Sequence, residues 1–154
     1  MISLSTGLRM AVAGNYGVGA MMNGGVIRIY GGTRPGSPDN PPGTTELGRV
    51  TTEGRAWYPD TDPNDAGLVV QVASPGVLVN VGEWRLVGSA SGMATWFRWC
   101  WAAGDPLLES TYYPRIDGDV GVEDTDLVLI STSITANTDW LIDSFFFVLP
   151  MEGA

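Results

Sequence analysis

Two acidic runs are the first places where this sequence could do chemistry. Asp60-Thr61-Asp62-Pro63-Asn64-Asp65 opens like a calcium loop, with oxygen ligands at alternate positions. The likeness then fails, because Asp65 stands where such a loop needs Gly and Gln71 where it needs the closing Glu. A solvated Asx-rich turn is the better reading. The second run holds Asp117, Asp119, Glu123, Asp124 and Asp126. Carboxylates this close can hold a cation, or divide the acid and base roles of a glycosidase. Gly118, Gly121 and Thr125 lie among them and are typical of turns, so a plain polar loop is the expectation. Gly14, Gly17 and Gly19 offer a fragment of a nucleotide-binding fingerprint. They precede the first strand where the fingerprint must follow one, and residue 22 is Met, so that match is rejected.

Missing residue types remove further chemistry. All 8 basic residues are Arg; without His there is no Ser-His-Asp or Cys-His system, and without Lys no phosphate-loop lysine or Schiff base. Cys100 is the single cysteine, which excludes an internal disulfide and reads as a small buried hydrophobe. The residues therefore predict no enzyme, with no catalytic, cofactor-binding or metal-binding set. Trp96, Phe97, Trp99 and Trp101 can serve as a sugar-stacking platform, a subunit interface or core; rings on both faces of one strand favour core. A net charge of -9 argues against a nucleic-acid phosphate surface and an anionic membrane face. The opening segment has no basic stretch followed by an apolar run, so no signal peptide is expected, and no stretch approaches a membrane span.

The elements that would position these residues are mostly strands. Gly and Pro together make 31 of 154 residues, the mark of a turn-rich chain of short strands in one domain. Helix is expected only within residues 1–24: one capped by Ser5 or Thr6 and ended by Gly14, and a turn from Val18 to Met22. Strands are expected at Val26–Tyr30, Thr44–Thr52, Leu68–Val72, Val77–Val81, Trp84–Val87, Met93–Ala102, Asp126–Ile130 and Trp140–Leu149. Both faces of Met93–Ala102 carry rings, which makes it a central strand. In the last run Phe145, Phe146 and Phe147 are consecutive, so one face should line the core and the other meet a cover or a second copy. Residues 33–46, dense in Pro and Gly, read as a long loop or arm that orders on a neighbour. The pattern predicts an all-β domain, an antiparallel sandwich or jelly roll with a short N-terminal helix.

Leu4-Ser5-Thr6-Gly7-Leu8-Arg9, followed by Asn23-Gly24-Gly25-Val26-Ile27-Arg28-Ile29-Tyr30-Gly31-Gly32-Thr33-Arg34-Pro35, resembles the opening of a family of small tailed-bacteriophage virion proteins. The similarity continues at Gly92–Arg98, Pro114–Gly121, Asp126–Leu129, Ile134–Ala136 and Ile142–Pro150, in the same order; Gly31-Gly32 departs from the family's serine-glycine, and Pro38–Pro59 matches nothing. The resemblance implies a virion structural protein without catalysis, and the lack of a signal-peptide pattern leads to the expectation that it is assembled in the host cytoplasm. An acidic β-domain with a Pro-rich arm suits a capsid decoration (cement) protein, whose partners would be the major capsid protein and itself, as a homotrimer. A tail or head-to-tail junction component is the alternative, and a carbohydrate-binding module on the particle the third reading. Candidate subunit or capsid contacts are Arg34, Pro35, Pro38, Pro41, Trp96, Trp99, Trp140 and Phe146.

Overall fold

A computed structural model describes residues 1–59, 66–142 and 144–148. The chain is all-β with a short N-terminal helix, as the residues predict. Ser3–Leu4 (β1) leads into α1 (Thr6–Ala13). Ser5 caps it, its Oγ accepting from the Leu8 N–H, and the Gly14 N–H closes the other end on carbonyls of the last turn. A single turn, α2 (Val18–Met22), buries Val18 and Met22 before β2 (Val26–Tyr30). The strands then run β3 (Glu46–Thr52), β4 (Val70–Ser74), β5 (Val77–Asn80), β6 (Trp84–Gly88), β7 (Gly92–Met93), β8 (Trp96–Cys100), β9 (Arg115–Gly121), β10 (Leu127–Val128), β11 (Ser133–Ile134), β12 (Asp139–Leu141) and β13 (Ser144–Val148).

One curled sheet takes in eleven of these strands in the order β12-β6-β3-β2-β8-β9-β10-β13-β5-β4, with β1 beside β9; β7 and β11 form a separate pair. The sheet is mixed, since β10 runs parallel to β9 while the other pairings are antiparallel. Its concave side holds the main core. Trp84, Phe97, Trp99 and Phe145 meet there, mostly edge to face, at centroid distances of 5.1–6.2 Å. β8 is central and buried on both sides, as its two ring-bearing faces require.

Three expectations are corrected. The acidic stretch from Asp117 is no loop at its start. Arg115–Gly121 is a seven-residue strand with Ile116, Gly118 and Val120 inward and Arg115, Asp117 and Asp119 outward. Gly118 is required there, since a Cβ would meet the Phe97 ring at 2.5 Å. The run from Trp140 is two strands, because β12 pairs with β6 at one end of the sheet whereas β13 lies between β10 and β5. Met93–Ala102 is likewise interrupted: Gly92–Met93 pairs with β11, and only Trp96–Cys100 enters the large sheet. The calcium-like run 60–65 and Leu149 lie outside the described residues.

Alternation in β13 separates two phenylalanines that are adjacent in sequence. Phe147 is fully buried and Phe146 is 55% exposed. Phe147→Ala should therefore cost about 3–5 kcal/mol, whereas Phe146→Ala should cost less than about 1 kcal/mol, as at other surface positions. Urea denaturation of the two variants checks this; equal losses would contradict the assignment of faces.

Candidate functional site

The convex face of β2, β8 and β9 carries a grid of nine outward side chains set by strand register. Val26, Cys100 and Arg115 form one row, Arg28, Arg98 and Asp117 the next, and Tyr30, Trp96 and Asp119 the third. Each row lies on hydrogen-bonded neighbours, so a one-residue slip would send charged groups into the main core. Two irregular segments, 31–45 and 102–114, roof this face.

Arg115 fixes that roof. Its Nε and Nη2 donate to the two carboxylate oxygens of Asp105 at 2.6 and 2.7 Å; Nη2 also donates to the Leu108 carbonyl at 2.7 Å, and Nη1 to the Pro38 and Asp39 carbonyls at 3.0 and 3.3 Å. All five guanidinium N–H donors are thus engaged, with both charged side chains fully buried. Asp39 is held from two more directions: its carboxylate accepts from the Thr6 N–H and hydroxyl, and its carbonyl from the Ser110 N–H. Ser5 Oγ joins the same corner, donating to the Tyr113 carbonyl and accepting from the Arg115 N–H.

In the middle row Arg98 forks onto Asp117, Nε to Oδ1 at 2.7 Å and Nη2 to Oδ2 at 2.9 Å, with both side chains fully buried. Burial works against the Arg98 charge, and its hydrogen bonds to the Asp117 carboxylate outweigh that, so the guanidinium is held more firmly protonated than usual. Arg28 and Arg49 share Glu46 at 2.9 and 3.2 Å. In the third row Tyr30 and Trp96 stack at 4.5 Å, and the Trp96 indole N–H donates to the Gly31 carbonyl. Burial opposes ionisation of Asp119; hydrogen bonds from the first residue's amino group and from Arg34 overcome it and hold the carboxyl below its ordinary range.

The predicted contact residues separate accordingly. Trp96 and Trp99 are fully buried, so neither offers a face to a sugar or a partner; each ring is already packed by its own chain. Arg34 is turned inward, bonding to Asp119, Ser3 and the Met1 carbonyl. Pro35 is half-buried and Pro38 buried, while Pro41 is exposed. The segment 33–46 is therefore part of the domain and not a free arm, because Arg34, Pro38 and Asp39 tie it down. Trp140 is half-buried against the main core. Phe146 alone among the eight presents a large exposed apolar side chain. Asp105 and Arg115 escaped sequence reasoning, and Asp117 was read as part of a polar loop and not as the buried partner of an arginine. The available signal was the strict alternation of polar Arg115, Asp117 and Asp119 with Ile116, Gly118 and Val120.

No family model, curated protein or solved structure matches the chain.

Two acids on this face ionise late. Burial pushes the Cys100 thiol up to about 12, with Arg28 and Arg98 pulling the other way. Burial also lifts the Tyr30 phenol well above its ordinary range, and its hydroxyl makes no hydrogen bond among the described residues. A folded-state pKa above the unfolded one means that the unfolded chain sheds its proton first as pH rises. The associated stability is complete below the ordinary thiol range, near a pKa of about 8.5, and is lost upward from there. Melting temperature should thus fall as pH is raised toward 12. Cys100→Ala should flatten the earlier part of that fall and Tyr30→Phe the later part. Melts followed by circular dichroism across alkaline pH check this; unchanged slopes in both variants would contradict the assignment.

Proposed function

We propose that this chain is a structural component of a bacteriophage virion, acting as a capsid decoration protein that bridges capsid subunits and assembles with further copies of itself, as a homotrimer. The observation that carries the reading is where the virion-protein-like segments meet. Leu4–Arg9, Val26–Pro35, Gly92–Arg98 and Pro114–Gly121 are far apart in sequence, yet they supply β1, the start of α1, β2, β8 and β9, which are neighbours in the fold. Their polar residues are the ones that interlock there: Ser5, Arg34, Arg98, Arg115, Asp117 and Asp119. A resemblance that includes the residues building this framework fits a protein whose work is to be a rigid part.

Charge supports the same reading. Seven of the eight arginines lie in ion pairs with carboxylates of the chain, so its positive charge is largely matched by its own acids, and its net charge is -9. That disfavours DNA or an anionic membrane as the binding surface and favours a protein partner. The sugar-binding alternative loses its platform with Trp96 and Trp99 buried.

Electron microscopy of particles carrying a gold-labelled tag on this chain tests the proposal. Label spread over the head is the expected result, label confined to the tail or its junction would favour the alternative, and unlabelled particles would contradict a virion role.

A further inference from the structure

We propose that the cleft between β2 and the strap Pro41–Thr45 is a binding site for a monocarboxylate. Arg28, Tyr30, Glu46 and Leu107 line it together with the strap. The inference is independent of the virion reading. Arg28 belongs to a row of three arginines that strand register sets side by side. Arg49 on β3 is opposite Arg28 on β2, which is opposite Arg98 on β8, and Asp117 on β9 ends the row. Like charges so placed repel one another. Two carboxylates answer the three guanidiniums: Glu46 is shared by Arg28 and Arg49, and Asp117 is taken by the fork from Arg98. The neighbouring cations Arg34 and Arg115 have acids of their own, Asp119 and Asp105. One positive charge in the row is left unmatched, in a chain whose net charge is -9. Cys100, beside Arg28, does not supply the missing negative charge, because burial pushes its thiol up to about 12.

Unsatisfied donors accompany the unmatched charge. Arg28 Nε, Arg98 Nη1 and the Tyr30 hydroxyl are buried and make no hydrogen bond among the described residues. Two of the three belong to residues that line the cleft. Tyr30 is 1% exposed, and its ring is fixed by stacking on Trp96. Burial keeps the phenol protonated, so the hydroxyl is a donor. Buried donors left without partners are costly, and an oxyanion would satisfy donors and charge together. A single unmatched charge, with Glu46 in the same cleft, favours a monoanion over a dianion such as phosphate. Arg28 Nε and the Tyr30 hydroxyl suit the two oxygens of a carboxylate, and Pro41, Pro42 and Leu107 offer its carbon chain an apolar wall. Both donors are covered, so binding displaces the strap. Pro41, Gly43, Thr44 and Thr45 are exposed, and the backbone of residues 41–44 makes no hydrogen bond among the described residues, so little holds the strap shut.

Amide and guanidinium NMR spectra of the full chain, titrated with propionate at constant ionic strength, test this, with propionamide as the neutral isostere. Propionate should give saturable shifts at Gly43, Thr44 and the Arg28 Nε–H, and propionamide none. Tyr30→Phe should weaken propionate binding by about tenfold, with circular dichroism unchanged, since it removes only a hydroxyl that has no partner. Should that variant not fold, the Arg28 Nε–H resonance of the wild type gives the same readout. Inorganic phosphate should bind more weakly than propionate. N-acetylalanine, which presents the carboxylate of a chain terminus, separates the two sources of this chemistry. Binding tighter than that of propionate assigns the site to a protein's C-terminus, and weaker binding assigns it to a free small acid. No saturable shift with either carboxylate, an equal response to propionamide, tighter binding of phosphate, or a Tyr30→Phe variant that binds as the wild type does would overturn the proposal.

Discussion

The buried guanidinium of Arg115 is the constraint on which the rest of the convex face depends. Burying a cation costs least where its charge and every donor are matched, as they are for Arg115 and not for Arg98, whose Nη1 is buried without a partner among the described residues. Here the matching groups come from Asp105, Leu108, Pro38 and Asp39, on two segments without regular structure. Those segments consequently have one position relative to β9. Val26 and Cys100 are covered by Leu107 from one of these segments and by Trp57 and Ala66 from elsewhere in the chain, in a second small core, so β2 and β8 are buried on both sides without a second sheet beneath them among the described residues.

The Arg98–Asp117 fork plays a related part within the sheet. Buried ion pairs add little net stability compared with well-packed apolar groups, but removing one partner costs about 3–5 kcal/mol. Such a pair therefore acts mainly on specificity, fixing which residue of β8 faces which residue of β9. Arg28 and Arg49, sharing Glu46, extend the row across β2 and β3. Arg28, Arg98 and Arg115 are matched inside the fold in this way, whereas Arg49, Arg55 and Arg85 meet their carboxylates nearer the surface, and the strands β13 and β5 carry no charge.

Much of this was legible in the sequence wherever the signal is local. Ser5 and Gly14 bracket α1, and the β-branched run Val26–Tyr30 is β2 to the residue. The two-faced ring pattern of Trp96–Cys100 reveals a central strand, because rings on both sides exclude an exposed face. The signal fails where the partner is distant. Nothing near Pro38 announces that its carbonyl meets Arg115, 77 residues away, so a Pro-rich stretch reads as an arm. Asp and Gly in Arg115–Gly121 carry turn propensity, which tertiary pairing with Arg98 and Phe97 overrides. A mid-strand arginine such as Arg98 in an apolar run is itself a demand for a buried carboxylate, and that demand points to Asp117. The outward Phe146 was readable as an interface candidate, and the fold supplies what the sequence lacked, namely which of three consecutive phenylalanines faces out.

Arg115 holds the two roofing segments to the sheet. Native-state hydrogen exchange of Arg115→Met tests it most directly. The Ser110 and Thr6 amides, both bonded to Asp39, should lose protection together, while the amides joining β3 to β6 keep theirs. If Ser110 and Thr6 exchange as slowly in the variant as in the wild type, the roof is held by other contacts and the claim is wrong.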